Sequence, residues 1–210
     1  MIKILVADDH TIVREGLKQI LAETSDIVVS GEAANAQEIL NKILKNDYDI
    51  VLLDISMPGR SGLDVLKTLK SIKPQLPVLI LSMHPEEQYA VRALKGGASG
   101  YLTKESAPDE LITAIRIVST GRKYVSSALA EKLAFDLENN NEKPLHETLS
   151  NREFQVMCMI ASGKVISEIA EELLLSIKTV STYRARILEK MKMKHNAEIT
   201  YYTIKNGLVD

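Results

Sequence analysis

The sequence predicts an α/β chain in which an open, doubly wound, five-stranded parallel sheet precedes a small all-α domain. Three observations predict it. Short β-rich apolar runs recur through the first 120 residues, and segments with helical spacing lie between them. From Ser150 onward the strand signal stops and only short helical segments remain.

The strand runs are Ile2–Ala7, Ile27–Gly31, Ile50–Asp54 and Val78–Ser82, with a weaker one at Gly100–Leu102. They are apolar without alternation, as in strands of a parallel sheet covered on both faces. Between them, Val13, Leu17, Ile20 and Leu21, or Leu63, Leu66 and Leu69–Ile72, recur at the spacing of a helix face. Five βα units in succession predict an open doubly wound sheet. A helix from Pro108 to Thr120 closes the unit, with Gly121 as its stop.

Residues 122–148 lose the βα rhythm and read as a linker, with a possible helix over Ser126–Glu138 and a polar stretch from Glu138 to Pro144. Ser150 and Glu153 then form a capping-box pattern, and Gly163 ends that helix. Further helices are predicted over Ser167–Leu174, over Lys178–Met191 with Ser176 as cap, and over Ala197–Lys205. The expected domains are 1–121, a linker 122–148, and 149–210.

Of the 210 residues, 45% are hydrophobic and 26% charged, as expected of a globular chain. There is no Trp, and Phe135 and Phe154 are the two phenylalanines, so the core must be aliphatic. No apolar run approaches the roughly 18–20 residues that span a bilayer. The apolar start, Met1–Ala7, is too short and too soon followed by acids for a secretory signal. The single cysteine, Cys158, excludes an internal disulfide and reads as a buried structural thiol among Met157, Met159 and Ile160. A cytoplasmic protein without membrane association is expected. The net charge is −2, but residues 178–194 set Lys178, Arg184, Arg186, Lys190, Lys192 and Lys194 against Glu189 alone.

Asp8 and Asp9 follow the first strand and Asp54 ends the third. In an open parallel sheet, ligands bind beyond the carboxyl ends of the strands. Three carboxylates gathered there repel one another unless a cation joins them, and a hard divalent ion such as Mg²⁺ keeps positions for phosphate oxygens. Ser82 ends the fourth strand and Lys104 follows the fifth, adding a hydroxyl and a positive charge to the same rim. A carboxylate nucleophile, a metal and a balancing cation are the parts of a phosphoryl-transfer site.

Val6-Ala-Asp8-Asp9-His, Leu53-Asp54-Ile-Ser-Met-Pro58-Gly59, Leu81-Ser82 and Gly97-Ala-Ser-Gly-Tyr101-Leu-Thr-Lys104 resemble the flavodoxin-like receiver domain of response regulators, over residues 1 to about 121. The resemblance implies that Asp54 accepts phosphate from a sensor histidine kinase. It implies that Asp9, Asp54 and the backbone carbonyl of Ser56 ligate Mg²⁺, with Asp8 acting largely through water. Ser82 and Lys104 would bind the phosphoryl oxygens, and Tyr101 would change rotamer on activation. The family's lysine is commonly followed by a cis proline, whereas Glu105 stands here and leaves that peptide open.

On a helical wheel, Val180, Ile187, Leu188 and Met191 share the side of residues 178–191 that faces a core. Lys178, Ser181, Thr182, Ala185 and Arg186 share the opposite side, with Lys190 at its flank. A small, polar, basic face suits a major groove. Arg184 falls toward the buried side and is expected to pair with an acid such as Glu153 or Glu168. Leu149-Ser-Asn-Arg-Glu153, Gly163, Glu168-Ile-Ala170 and Ser176-Ile-Lys-Thr179-Val180-Ser-Thr-Tyr-Arg184 resemble the LuxR-type helix-turn-helix. Together with a receiver this is the arrangement of NarL/FixJ-type response regulators, most like their GacA/UvrY-like members. The resemblance implies double-stranded DNA as partner, contacted by Lys178, Thr179, Ser181, Thr182, Tyr183, Ala185, Arg186 and Lys190. It also implies a homodimer on DNA or when phosphorylated, through the last helix with Ile199, Tyr202 and Ile204. Leu174 occupies the turn where such sequences often carry Gly or Asn. Ala185 stands where some relatives have a basic contact residue, which leaves the operator open.

Two other readings are open at this stage. One is an aspartate-nucleophile phosphatase or kinase on the same scaffold; against it, no second acid follows Asp54 at two residues and no GxxxxGK[ST] loop is present. The other is a regulator whose second domain binds protein instead of DNA.

Overall fold

The computed structural model describes residues 1–57, 59–138 and 144–209, and of residues 132 and 135–138 the backbone alone. Pro58 and residues 139–143 of the polar stretch lie outside the described residues. The chain divides into two compact units, Met1–Leu133 and Ala134–Asp210.

In the first unit β1 (Ile2–Ala7), β2 (Ile27–Ala33), β3 (Ile50–Leu53), β4 (Val78–Ser82) and β5 (Gly100–Thr103) alternate with helices α1 (Thr11–Ala22), α2 (Ala36–Lys45), α3 (Gly62–Ile72), α4 (Glu86–Lys95) and α5 (Pro108–Ser119). The five strands form one parallel sheet in the order β2-β1-β3-β4-β5. The order reverses at β1, so the neighbouring ends of β1 and β3 open the crevice where such sheets bind ligands. Ile4, Val6, Leu52, Leu79, Leu81 and Leu102 face a layer from α1 and α5 that includes Leu17, Leu21, Leu111, Ile115 and Val118. The intervening Leu5, Val51, Leu53, Val78 and Ile80 are equally buried. Burial of both faces is why the strand runs do not alternate.

The strand ends differ from the sequence expectation in ways that matter. β3 stops at Leu53, one residue short, which leaves Asp54 on the rim. β2 runs on to Ala33, because a register shift between Ile4 and Leu5 lets Val6 and Ala7 pair with Glu32 and Ala33. α6 (Ser127–Glu138) follows α5 and crosses the division between the units.

The second unit comprises a 3-10 turn at Leu145–Thr148, within the stretch expected to be linker, and α7 (Asn151–Ala161), α8 (Ile166–Glu172), α9 (Ile177–Lys190) and α10 (Asn196–Lys205). Ser150 and Glu153 form the capping box: Glu153 N–H donates to Ser150 Oγ, and Ser150 N–H donates to Glu153 Oε2 at 2.8 Å. Ser176 Oγ accepts from Thr179 N–H at 3.0 Å and starts α9. Gly121 and Gly163 take positive φ at the helix ends, where stops are expected. The α8–α9 turn has the same left-handed shape with Leu174 in it, at φ +50°, where glycine would be unstrained. Phe154, Met157, Ile169, Val180, Ile187, Met191 and Ile199 are buried, as is Cys158.

Candidate functional site

Asp8 follows β1, Asp54 follows β3, and both are almost fully buried. Backbone pairing holds them there: Asp8 N–H donates to Ala33 O at 3.0 Å and Asp54 N–H to Ala7 O at 2.9 Å. Lys104, just past β5, places its ammonium between them, 2.6 Å from Asp8 Oδ2 and 3.0 Å from Asp54 Oδ2. Its own N–H donates to Ser82 O at 2.7 Å, tying the ends of β4 and β5 together. One oxygen each from Asp8, Asp9 and Asp54 and one nitrogen of His10 lie within 4.8 Å of one another.

The charges do not balance. Three carboxylates stand against one ammonium, a deficit of two positive charges in a largely buried rim. Burial pushes the Asp54 carboxyl above its ordinary range and the Asp8 charge adds to this, against the pull of Lys104. Burial alone would lower Lys104, but the two carboxylates outweigh it and hold the ammonium above its usual value. Asp9 Oδ1 is buried with no hydrogen-bond partner among the described residues; His10 Nδ1 stands 3.0 Å away, outside hydrogen-bonding geometry. An orphaned carboxylate oxygen, a net charge of −2 and a converging set of oxygen donors fit a hard divalent cation.

Beside the acids, Ser56 N–H donates to Asp54 Oδ1 at 3.1 Å, and Ser56 Oγ lies 3.1 Å from His84 Nε2. Ser82 Oγ, fully buried, accepts the backbone N–H of His84 at 3.1 Å. Tyr101 points inward, 1% exposed, and donates its hydroxyl to the His84 carbonyl at 2.8 Å. Burial raises that hydroxyl well above its ordinary range, so it stays a donor. Among the described residues every peptide bond is trans, the Lys104–Glu105 bond included.

Three residues of the site escape sequence reasoning. His10 stands in the sequence only as part of a motif, yet its ring joins the acid cluster. His84 links Ser56, Ser82 and Tyr101, and its contacts to Ser56 and Tyr101 join segments far apart in the sequence. Gly62 opens α3, donates its N–H to Ile55 O at 2.9 Å, and comes so close that a Cβ would lie 2.1 Å from Asp54 O. Both atoms in conflict would be backbone or fixed to it, so no side chain is tolerated without moving Asp54.

In the second unit, α9 buries Val180 and Ile187 and half-buries Leu188, and Met191, just past its end, is buried. Lys178, Ser181, Thr182, Ala185 and Arg186 are exposed, and Thr179 and Tyr183 half-buried. Ser176, Lys178, Thr179, Thr182, Tyr183 and Arg186 line one open hollow at the start of the helix.

The expected partner of Arg184 changes. Arg184 pairs with neither Glu153 nor Glu168: its Nε donates to Asn196 Oδ1 at 2.6 Å. Both glutamates are occupied capping their own helices, and Glu153 in addition accepts Lys190 Nζ at 2.6 Å. Lys190, expected on DNA, keeps 41% of its side chain exposed while its ammonium binds Glu153 within the domain. In α10, Ile199 is core and Tyr202 OH lies 3.0 Å from His146 Nδ1, while Tyr201 and Ile204 are exposed. The outward side of that helix is thus Tyr201 and Ile204, not Ile199 and Tyr202.

A parallel sheet with a lysine-bridged acid cluster at its carboxyl edge, joined in one chain to a helix-turn-helix, defines a receiver coupled to a DNA-binding-type output domain. Residues 4–116 match the response regulator receiver domain, and residues 147–203 match the bacterial regulatory proteins of the luxR family. The chain is 36% identical to response regulator UvrY of Escherichia coli strain K12, over 99% of this chain and 96% of that protein. It is 36% identical to response regulator GacA of Pseudomonas protegens, over 100% of this chain and 99% of that protein. RcsB from Salmonella enterica serovar Typhimurium, solved bound to promoter rprA with the phosphomimetic BeF₃⁻, superposes with a TM-score of 0.66 at 26% identity, covering 96% and 98% of the two chains. The chain belongs to the response regulators with a LuxR-type output domain, a family of transcriptional regulators and not of enzymes. No helix among the described residues is long and apolar enough to cross a membrane.

Proposed function

We propose that Asp54 is the phosphoacceptor of a phosphorylation-controlled regulator that binds double-stranded DNA as a homodimer in the cytoplasm. The observation that carries this reading is the Lys104 ammonium held between Asp8 and Asp54, with the cation deficit around it. An Asp54 carboxylate oxygen attacks the phosphorus of a phosphohistidine on a sensor histidine kinase. The O–P bond forms, the P–N bond breaks, and the imidazole leaves with a proton. Asp8, Asp9, Asp54 and the Ser56 carbonyl would hold Mg²⁺, which when bound neutralises charge on the phosphoryl oxygens.

Lys104 then exchanges a carboxylate for a phosphoryl oxygen, and Ser82 donates its hydroxyl to another. Ser82 Oγ in the resting chain accepts from His84 N–H, and His84 O accepts from Tyr101. Turning Ser82 toward the phosphoryl group therefore pulls on the backbone that holds Tyr101, and biases two arrangements of the β4–α4 segment.

For the output domain, Lys178, Thr179, Ser181, Thr182, Tyr183, Ala185 and Arg186 form the face that enters the major groove. Lys190 acts one step back, fixing the end of α9 to the α7 cap. Solved RcsB structures with DNA, one of them of two dimers on two DNAs, support this reading by similarity. Labelling with a radioactive phosphodonor should be lost in Asp54→Asn; equal labelling of wild type and variant would overturn the assignment. Duplex DNA binding should fall steeply with salt.

A further inference from the structure

Arg14 lies outside the acid cluster, yet its guanidinium grips the backbone that presents it. β1 ends at Ala7, and although Asp8 N–H still reaches β2, the Asp8 carbonyl has left the ladder. That buried acceptor needs a partner. Arg14 Nη1 supplies it at 2.8 Å. The same fork sends Nη2 to Thr11 Oγ1 at 3.2 Å and Nε to Glu32 Oε2 at 3.3 Å.

Glu32 sits on β2 and is itself held by Lys18 Nζ at 2.8 Å, so the fork is fixed from a neighbouring strand. Only 14% of the Arg14 side chain is exposed. On the far side of the turn, His10 N–H closes on Asp8 Oδ1 at 2.9 Å. With the Asp8 N–H on Ala33, the Asp8 carbonyl on Arg14 and His10 N–H on Asp8, the peptide between Asp8 and Asp9 has little freedom. The next side chain is Asp9, whose buried Oδ1 accepts no hydrogen bond among the described residues and has His10 Nδ1 3.0 Å away.

We propose that Arg14 is a positioning residue for the divalent-cation site, holding the Asp8 carbonyl from Glu32 so that Asp9 is aimed into the acid cluster. This rests on reading Asp8, Asp9 and Asp54 as that site. The sign of the effect separates positioning from charge. Deleting a positive charge near three carboxylates would by electrostatics alone tighten a divalent cation. Losing the support of a ligand loosens it, commonly by 10- to 100-fold. Lysine keeps the charge but lacks the planar fork that serves two acceptors at once.

The test is Mg²⁺ titration by calorimetry of the full chain as wild type, Asp9→Asn, Arg14→Met and Arg14→Lys, with thermal unfolding of each in Mg²⁺-free buffer. The expected result is loss of binding in Asp9→Asn and a Kd raised about tenfold or more in both Arg14 variants. Asp9→Asn binding like wild type would overturn the cation site itself. Loss in Asp9→Asn with unchanged or tighter binding in Arg14→Met would overturn the positioning role alone, as would a drop in Mg²⁺-free stability with Kd unmoved. Should Arg14→Met not yield a folded chain, Arg14→Lys keeps stem and charge and decides in its place: a raised Kd supports the positioning role, and an unmoved one overturns it.

Discussion

Tyr101, within β5, donates its hydroxyl at 2.8 Å to the main-chain carbonyl of His84, two residues past the end of the neighbouring β4. The donor is buried and the bond part-buried, and the carbonyl belongs to a residue whose N–H is bound to Ser82. Tyr101→Phe keeps the ring packing and removes the donor. We expect the unphosphorylated chain to lose about 1 kcal/mol, the cost of losing a part-buried hydrogen bond. Urea unfolding of wild type and variant checks this, and equal midpoints would show that the bond does not contribute.

Lys104 shares one ammonium between two buried carboxylates, so removing it is a different matter from removing one of them. Lys104→Met leaves Asp8 and Asp54 uncompensated and should cost about 3–5 kcal/mol without divalent cations. Asp54→Asn relieves a like-charge contact and leaves Lys104 on Asp8, so its stability should lie within about 1 kcal/mol of wild type or above it. Added Mg²⁺ should recover much of the loss in Lys104→Met by mass action. Thermal unfolding of the three chains with and without Mg²⁺ decides it.

Leu174 is 70% exposed and has φ +50°, a conformation costing an L-residue about 1–2 kcal/mol. Leu175 N–H donates to Ala170 O at 2.8 Å across this turn, so the turn is enforced by the helix end and not by the leucine. Leu174→Gly is expected to stabilise the second unit by about 1 kcal/mol, and Leu174→Asn by less. An unchanged or lowered Tm would mean the strain is absorbed elsewhere.

Glu153 is buried, and burial alone would raise its pKa; the Lys190 ammonium and the Ser150 donors outweigh that and hold it below the ordinary carboxylate value. A folded pKa below the unfolded one means stability that is complete above the unfolded value, about 4.3, and lost as pH falls through the folded value. Glu153→Gln should flatten this acid limb for the second unit and cost about 1–2 kcal/mol at neutral pH through the cap. Lys190→Met should cost less, about 1 kcal/mol, because the lysine is 41% exposed. Denaturation between pH 3 and 7 checks both; a Lys190→Met loss that exceeded that of Glu153→Gln would reverse the assignment of the cap as the larger contribution.

Much of the fold is legible in the sequence because it is written in local patterns. β-rich runs between helical segments specify the sheet, and Ser150, Glu153, Ser176 and Gly163 act within a few residues of themselves. Asp8, Asp9 and Asp54 are legible for a related reason: each follows a strand, and the ends of parallel strands meet. The partner of Arg184 is not legible, because it depends on which groups are already occupied. Glu153 and Glu168 are acids at hand, but helix caps hold them, and Asn196 takes the guanidinium.

The amino-acid sequence by itself determined the class of the two units, the strands whose ends carry the acids and the helix that turns a basic face outward. Those depend on periodicity and capping, which act over a few residues. Tertiary structure alone decided that Lys104 bridges Asp8 and Asp54, that Gly62 must pass beneath the Asp54 carbonyl, that Arg14 closes on Asp8, and that Lys190 serves Glu153. Each of these joins separate elements and is settled by competition among several charged or polar groups for the same few buried partners. That competition is resolved only once packing has fixed which of them can reach.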